Sequence, residues 1–256
     1  MLNVGLQLYT LRDQLENDFE GTIREVARLG YQGVEFHHFY GRTAEQVKAL
    51  LDETGLEVIG THVPYIRLQE ALEEELAFHQ AIGNQYIIVP WLADEDRGNL
   101  ESLVNHIRIF SEAAQNKGIS IAYHNHDFEF DKMEDGRPFL YALYDEVPAS
   151  LLQVELDTCW VHYAGYVPSE VIAKYAGRTP LVHLKDLRRQ EDGSPMTVEL
   201  GEGEVDLAAV VKASDEAGVQ WIIVEQDFCK NPPMDSIAKS MEWLKKHALE
   251  GGNVRV

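Results

Sequence analysis

The residues best suited to chemistry lie where apolar stretches of this sequence end. The stretch from Ile119 to Phe130, ISIAYHNHDFEF, begins as an apolar run and ends in imidazoles and carboxylates, among them His124 and His126. Three later apolar runs end in the same way, at Asp157, His183 and Glu225. Hydrophobic strands usually end in turn residues. Four exceptions indicate that several strands bring nitrogen and oxygen donors to one place, as a divalent cation requires.

The elements that must position these residues alternate between strand and helix. Short apolar runs predict eight strands, at 3–9, 33–36, 57–62, 86–89, 119–123, 152–156, 181–184 and 221–224. Helical spacing, capping residues and closing glycines predict helices between them, at 19–29, 44–54, 69–82, 99–117, 137–144, 168–175, 207–217 and 233–248. A polar loop is predicted over 188–204.

This alternation predicts an α/β fold with a single (β/α)8 TIM barrel over residues 1–250 and a frayed C-terminal tail over 251–256. The strands lack strict alternation, as expected when a parallel sheet is buried on both faces. Eight units in about 250 residues is the size of such a barrel. An open doubly wound sheet is disfavoured, because no GxGxxG follows the first strand.

The active site of such a barrel forms where the carboxyl ends of its strands meet. The polar and aromatic residues at those predicted ends are Gln7, Tyr9, Glu35, His62, Trp91, His124, Asn125, His126, Asp157, His183, Lys185 and Glu225. Side chains alternate between the inside and the outside of a barrel, so Lys185 faces the same way as His183. His79, His106 and His247 lie in predicted helices and are interpreted as surface or packing residues. Asp127 and Asp186 are interpreted as caps or salt-bridge partners.

The charge of the chain excludes some classes of partner. There are 22 Lys and Arg residues against 43 Asp and Glu residues, a formal net charge of −21. This balance argues against nucleic-acid binding and gives no reason for attraction to anionic membranes.

The sequence shows no sign of secretion or membrane insertion. The two cysteines form no CxxC pattern, and Met1 is followed directly by a strand-like run without a signal peptide. No apolar run is long enough to span a membrane. We therefore expect a cytoplasmic protein with a small-molecule partner, and a homo-oligomer is compatible with the sequence.

Six motifs, spread in order over most of the chain, resemble the sugar phosphate isomerase/epimerase family. They are GLQLYTLRD (5–13), GYQGVEF (30–36), ELDTCW (155–160), VHLKD (182–186), LGEGEVD (200–206) and IIVEQD (222–227). That family has a xylose-isomerase-like TIM barrel and includes inosose dehydratases, hydroxypyruvate isomerases and, more distantly, endonuclease IV. The YHNHDFEF form resembles a branch linked to keto-glycosides and keto-inositols.

The resemblance implies a divalent metal held by one residue from each of strands five to eight, usually Glu, Asp, His and Glu. Asp157, His183 and Glu225 match this pattern residue by residue. Strand five departs from it, because this chain has His124, Asn125 and His126 where the family commonly has Glu, Asn and His. The predicted ligands are therefore His124, Asp157, His183 and Glu225, with His126 in place of His124 if the strand extends further.

A histidine on strand five also changes the expected acid–base chemistry. In the family's epimerases, the glutamates of strands five and eight are bases on opposite faces of the substrate carbon. An imidazole cannot accept a proton through a nitrogen bound to metal, so Glu225 remains the only ligand that could act as a base. The second acid–base group is predicted to be His62, Lys185 or Glu35. His62 is the first choice, because an unperturbed histidine has a pKa near 6.5. For Lys185 to act as a base, its pKa would have to fall from about 10.4.

The predicted function is a metal-dependent sugar isomerase or epimerase that removes a proton next to a carbonyl and forms an enediolate. The metal would act as a Lewis acid. Two histidines and two carboxylates favour Mn²⁺, Co²⁺ or Zn²⁺ over Mg²⁺. The predicted sugar-binding residues are Gln7, Tyr9, Trp91, Asn125 and His126. Two alternatives stay open: a lyase or hydratase acting on a 3-keto-sugar, keto-glycoside or inosose, and a non-catalytic sugar-binding barrel.

Overall fold

Eight parallel strands close into a barrel in the computed structural model, which describes residues 1–249 and 253–255. Numbered in chain order, the strands are β1 (Asn3–Gln7), β2 (Gly33–Phe36), β3 (Glu57–His62), β4 (Tyr86–Val89), β5 (Ser120–His124), β6 (Leu152–Asp157), β7 (Leu181–Leu184), β8 (Asp186–Arg189), β9 (Pro195–Val198) and β10 (Trp221–Val224). The barrel order is β1-β10-β7-β6-β5-β4-β3-β2, with β8 and β9 paired separately. The predicted TIM barrel is confirmed.

Helices surround the barrel and follow the predicted order. They are α1 (Arg12–Asn17), α2 (Phe19–Leu29), α3 (Ala44–Thr54), α4 (Tyr65–Ile82), α5 (Leu100–Gln115), α6 (Phe139–Glu146), α7 (Thr158–Tyr163), α8 (Pro168–Lys174), α9 (Leu207–Ala217) and α10 (Pro233–Leu249). Local capping sets several of their starts. Asp18 accepts a hydrogen bond from the Gly21 amide, and Thr43 forms a capping box with Gln46. No helix among the described residues is long and apolar enough to cross a bilayer.

The predicted polar loop over 188–204 is wrong, because much of it forms an antiparallel hairpin of β8 and β9. Its turn contains Asp192 and Gly193, with Gly193 at a positive φ of 84°, and this Asp-Gly pair is a hairpin signal that was missed. Asp186, at the start of β8, accepts hydrogen bonds from the amides of Gly201, Gly203 and Val205. It neither caps a helix nor forms an ion pair among the described residues, so its interpretation as a cap or salt-bridge partner is wrong; it holds the LGEGEVD segment in place instead.

Smaller differences from prediction lie at element ends. Strand β1 stops at Gln7, and Tyr9 lies in a 3-10 turn over Leu8–Leu11. Helices α1 and α7 were not predicted. In the predicted tail, residues 251, 252 and 256 lie outside the described residues. Val254, however, is buried and pairs with Leu2, while the exposed Asn253 and Arg255 are held by backbone hydrogen bonds to Leu2.

The interior of the barrel changes from apolar to polar along its strands. Seven apolar residues form a small cluster of their own: Ile59, Tyr86, Ile88, Ala122, Leu181, Trp221 and Ile223. Two residues further along the same strands, and therefore on the same side, come His124, His183 and Glu225. A separate, larger apolar core contains residues of both strands and helices. The polar residues at the barrel mouth thus rest on an apolar floor.

Candidate active site

The strands bring most of the predicted polar residues into one buried layer at the barrel mouth. Gln7, His62, His124 and Asp157 are the last residues of β1, β3, β5 and β6, and Glu225 directly follows β10. Contacts join this layer across the barrel, from Glu35 on β2 to His183 on β7, where Glu35 Oε1 and His183 Nε2 are 2.8 Å apart. The layer divides into two groups, named here the outer cluster (Asp157, His183 and Glu225) and the inner cluster (Glu35, His62, His124 and Glu155).

The outer cluster contains three of the four predicted metal ligands. One donor atom from each residue lies within 4.8 Å of the other two. His183 Nδ1 is 3.0 Å from Glu225 Oε2. Asp157 Oδ1 accepts from the amides of Cys159 and Trp160 at the start of α7, which leaves Oδ2 for the site. One imidazole and two carboxylates suit a divalent cation and leave coordination positions for a substrate.

Lys185 lies against the outer cluster as a buried ammonium. Its Nζ is 3.1 Å from Asp157 Oδ2, 2.9 Å from Glu225 Oε2 and 2.7 Å from Asp227 Oδ2. Burial alone would lower the Lys185 pKa, but these carboxylates raise it well above its ordinary value. This direction is opposite to the lowered pKa that a Lys185 base would need. Burial likewise would raise the Glu225 pKa, but Lys185 and His183 hold it below its ordinary value.

Asp227 is a site residue without an assigned role in the sequence prediction. Its side chain is 18% exposed, against 6% for Glu225 and 0% for Asp157, so it is the carboxylate of this group that opens most to solvent. Burial raises its pKa to about 6, and Lys185 opposes this shift. Its sequence position could have identified it, since Asp227 follows Glu225 by two residues just after the same apolar run.

The predicted ligand His124 faces the inner cluster instead. Its Nδ1 is 2.9 Å from Glu155 Oε2, and its Nε2 is 3.8 Å from Asp157 Oδ2. Glu155, which the sequence prediction omitted, is completely buried and also lies 2.7 Å from His62 Nε2. The missed signal was again alternation, because Glu155 precedes Asp157 by two residues on β6.

His62 lies between two carboxylates. Its Nε2 is 2.9 Å from Glu35 Oε1 and 2.7 Å from Glu155 Oε2. Burial alone would lower the His62 pKa, but Glu35 and Glu155 raise it to about 10. The His62 pKa thus lies above the unperturbed value of about 6.5 on which its choice as an acid–base group rested. Gln7 supports this group, since its Nε2 donates to Glu35 Oε1 over 2.5 Å while its Oε1 accepts from the Tyr9 amide.

Aromatic side chains form the rim of the mouth. Trp91, which is 47% exposed, packs edge-on against His126 with ring centroids 4.8 Å apart. Trp160 also contacts His126, at 5.6 Å between ring centroids. Burial lowers the His126 pKa to about 3, and its Nδ1 has no hydrogen-bond partner among the described residues. Tyr9, 39% exposed, also lies at the surface. Flat aromatic faces of this kind suit the apolar faces of sugar rings.

Two further residues of the YHNHDFEF segment have structural contacts. The Asn125 side chain accepts from the Asp157 amide over 3.0 Å and donates to the Asp157 carbonyl, so it joins the ends of β5 and β6. Glu129 accepts from the Tyr123 hydroxyl and from the His126 amide. His126 belongs to neither group of potential metal ligands found among the described residues.

Glu129 is expected to make the stability of the fold depend on pH. Burial raises its pKa from 4.5 to about 7. Between these values the folded protein keeps a proton that the unfolded chain releases, so the free energy of unfolding falls as pH rises through this window. In Glu129→Gln, the fall in the free energy of unfolding across this window is expected to be smaller by up to about 3 kcal/mol. Urea denaturation at pH 5 and pH 8 measures it, with exposed Glu134→Gln as the control; equal pH dependence in both variants contradicts the prediction.

Comparison with known proteins identifies the family. The xylose isomerase-like TIM barrel family model matches residues 23–247. Inosose dehydratases from Clostridium perfringens (strain 13 / Type A) and Clostridium beijerinckii are 25% and 26% identical, each match covering 90% of both chains. A solved sugar phosphate isomerase/epimerase from Parabacteroides distasonis is 20% identical with a TM-score of 0.82, covering 96% of this chain and 98% of the other. D-allulose 3-epimerase from Methylomonas sp. in complex with D-allulose is 17% identical with a TM-score of 0.76, covering 96% of both chains. This chain belongs to the xylose isomerase-like TIM barrel family.

Proposed function

We propose that this protein is a sugar-modifying lyase that removes a proton next to the carbonyl of a keto-sugar or keto-cyclitol and expels a neighbouring hydroxyl group as water. The observation that carries this proposal is the contact of Asp227 and Glu225 with the buried Lys185 ammonium beside the outer cluster. It places a carboxylate that opens to the mouth next to a fixed positive charge. The inosose dehydratases among the relatives support a ketone substrate of this class.

Asp157, His183 and Glu225 fit a divalent cation, which we propose to be Mn²⁺, Co²⁺ or Zn²⁺ ahead of Mg²⁺ because an imidazole is in the set. Bound there, the cation would polarise the substrate carbonyl as a Lewis acid. His124 is not included, since its Nδ1 contacts Glu155. Lys185 would hold the carboxylates in place and offset the negative charge that develops on substrate oxygen.

Asp227 is the proposed base, in place of Glu225. Glu225 Oε2 is already engaged by His183 and Lys185. The Asp227 carboxylate would take the proton from the carbon next to the carbonyl, and the C–H electrons would move toward the carbonyl oxygen. As the carbonyl re-forms, a carbon–carbon double bond forms and the neighbouring C–O bond breaks. The same carboxyl then returns its proton to the departing hydroxyl, which leaves as water.

Epimerisation is the second candidate, and His126 favours it. Its ring contacts Trp91 and Trp160, and its Nδ1 has no hydrogen-bond partner among the described residues. A neutral imidazole there could exchange a proton with the face of the substrate carbon opposite to Asp227. Epimerisation needs such a second group, whereas elimination by one carboxyl does not.

A panel of keto-sugars, 3-keto-glycosides and inososes, incubated with Mn²⁺-loaded protein in deuterated water, tests the proposal by mass spectrometry. A lyase is expected to give a product lighter by one water. An epimerase is expected to give a product that loses no water and carries one deuterium in place of hydrogen at the exchanged carbon. Binding without either change would support the sugar-binding barrel and contradict the lyase proposal. Heat-denatured protein serves as the control.

A further inference from the structure

We propose that Thr197 is a positioning residue for Asp227, because its hydroxyl fixes the backbone beside this carboxylate. The inference rests on the proposed function, in which Asp227 is the base. Thr197 lies on β9, in the hairpin that the sequence had predicted as a loop, and its side chain is buried. Its effect on the reaction therefore passes through the position of Asp227 and not through contact with the substrate.

Asp227 stands on a loop between the end of β10 at Val224 and the start of α10 at Pro233. Loops at the mouth of a barrel carry functional groups but move more than the strands they connect. The Asp227 carboxylate contacts Lys185 Nζ at 2.7 Å. This ion pair sets the distance to one ammonium and does not by itself set the direction of the carboxylate. The direction depends on how the neighbouring residues of the loop are held.

The Thr197 hydroxyl binds both polar backbone atoms of the next residue, Phe228. It donates to the Phe228 carbonyl and accepts from the Phe228 amide, each over 3.0 Å. A hydroxyl has one donor and can also accept, so both capacities are used on a single residue. The Phe228 side chain is 63% exposed, so burial of its ring does not fix this part of the loop. The hydrogen bonds to its backbone do.

Gln226, on the other side of Asp227, is held from two directions. Its amide donates to Thr10 Oγ1 over 3.0 Å. Its side-chain Nε2 donates to the Phe228 carbonyl over 3.0 Å and to the Thr197 carbonyl over 3.4 Å. Both neighbours of Asp227 are thus fixed, to the hairpin and to the 3-10 turn that follows β1.

The hairpin is itself attached to the chain next to Lys185. Strand β8 begins at Asp186, the residue after Lys185, and Asp186 accepts hydrogen bonds from three amides of the segment beyond β9. Glu199, directly after β9, accepts from Asn231 Nδ2 over 2.6 Å, which joins the far end of the loop to the same hairpin. One segment of the chain therefore carries both the ammonium that contacts the Asp227 carboxylate and the hydroxyl that holds its backbone.

Removal of the hydroxyl is expected to slow the reaction without weakening substrate binding. Thr197→Val keeps the size of the side chain and leaves the Phe228 amide without this partner. Because a displacement of about 1 Å at a reacting group can cost on the order of 10²-fold, we expect kcat to fall by about 10- to 10²-fold. KM and metal content are expected to stay unchanged. Thr197→Ser keeps the hydroxyl and is expected to keep a kcat within about threefold of wild type.

Steady-state kinetics on the best panel substrate, metal analysis and hydrogen exchange of the Mn²⁺-loaded protein measure these effects. Exchange of the Phe228 amide is expected to be faster in Thr197→Val. Thr179→Val is the matched control, because Thr179 is also buried and donates its hydroxyl hydrogen to a backbone carbonyl, that of Tyr175. It should retain wild-type kcat. Gln226→Met removes another donor to the Phe228 carbonyl, and it provides a second variant with the same expected direction if Thr197→Val does not fold.

The same substitution in an Asp227→Asn background separates this inference from the proposed base. Thr197→Val is expected to cause no further loss of kcat there, and a double variant that loses the product of the two single effects overturns the inference. A Thr197→Ser variant as slow as Thr197→Val also overturns it. A loss of kcat in Asp227→Asn without any loss in Thr197→Val overturns this inference alone. Wild-type kcat in Asp227→Asn overturns the proposed base and this inference with it.

Discussion

Asp157→Asn is expected to abolish tight metal binding at the outer cluster and to lower turnover by at least about 10²-fold. The variant loses the charge of Oδ2, which faces the site, so the cation loses an anionic ligand and polarises the substrate less. Asparagine keeps an oxygen able to cap α7, as Asp157 Oδ1 does now. Asp157→Asn therefore tests metal binding while the helix cap is kept. Asp157→Ala would remove both the ligand and the cap.

Metal analysis, circular dichroism and turnover of the best substrate in the panel measure this effect. Asp206→Asn is the matched control, because Asp206 also caps a helix, accepting from the Ala209 amide at the start of α9, and takes no part in the site. It should retain wild-type metal content and rate. Wild-type metal affinity in Asp157→Asn would show that the outer cluster is not the metal site.

Asp227→Asn is expected to lower kcat by on the order of 10²–10⁴, the usual effect of losing a general acid–base group. Metal content should not change, because Asp227 is not among the proposed ligands. The fold should persist, since Lys185 keeps its contacts with Asp157 and Glu225. Asp94→Asn makes the same chemical change at a carboxylate that is 89% exposed and is the control.

Steady-state kinetics with each panel substrate, together with metal analysis, measures the Asp227 effect. A kcat within about twofold of wild type at normal metal occupancy would remove Asp227 from the mechanism and return the role of base to Glu225. A loss of kcat accompanied by loss of metal would instead make Asp227 part of the metal site.

The barrel and the location of its site were predictable from sequence because their signals are local. Strand length, capping at Asp18 and Thr43, and turn residues depend on neighbours within a few positions. Once eight strand–helix units are recognised, parallel strands place all their carboxyl ends at one mouth. The residues at those ends, such as His183 and Glu225, therefore had to lie near one another.

The tertiary structure decided which nitrogen and oxygen donors of the site contact one another. Alternation along a strand tells which side of the sheet a residue faces, but its depth in the barrel depends on strand tilt and stagger. The stagger places His124 opposite Glu155 on β6, so its Nδ1 is 2.9 Å from Glu155 Oε2 while its Nε2 is 3.8 Å from Asp157 Oδ2. Sequence spacing contains no such information.

The charge states of the site residues were likewise decided by long-range contacts. His62 and Lys185 have ordinary pKa values in an unfolded chain, and nothing near them in sequence indicates the direction of change. In the folded barrel, carboxylates from other strands surround both side chains, and Coulomb attraction in a dry interior outweighs the cost of burying the cations. The sequence by itself thus determined which residue types reach the mouth of this barrel, and the tertiary structure decided which of them are paired, charged and free to react.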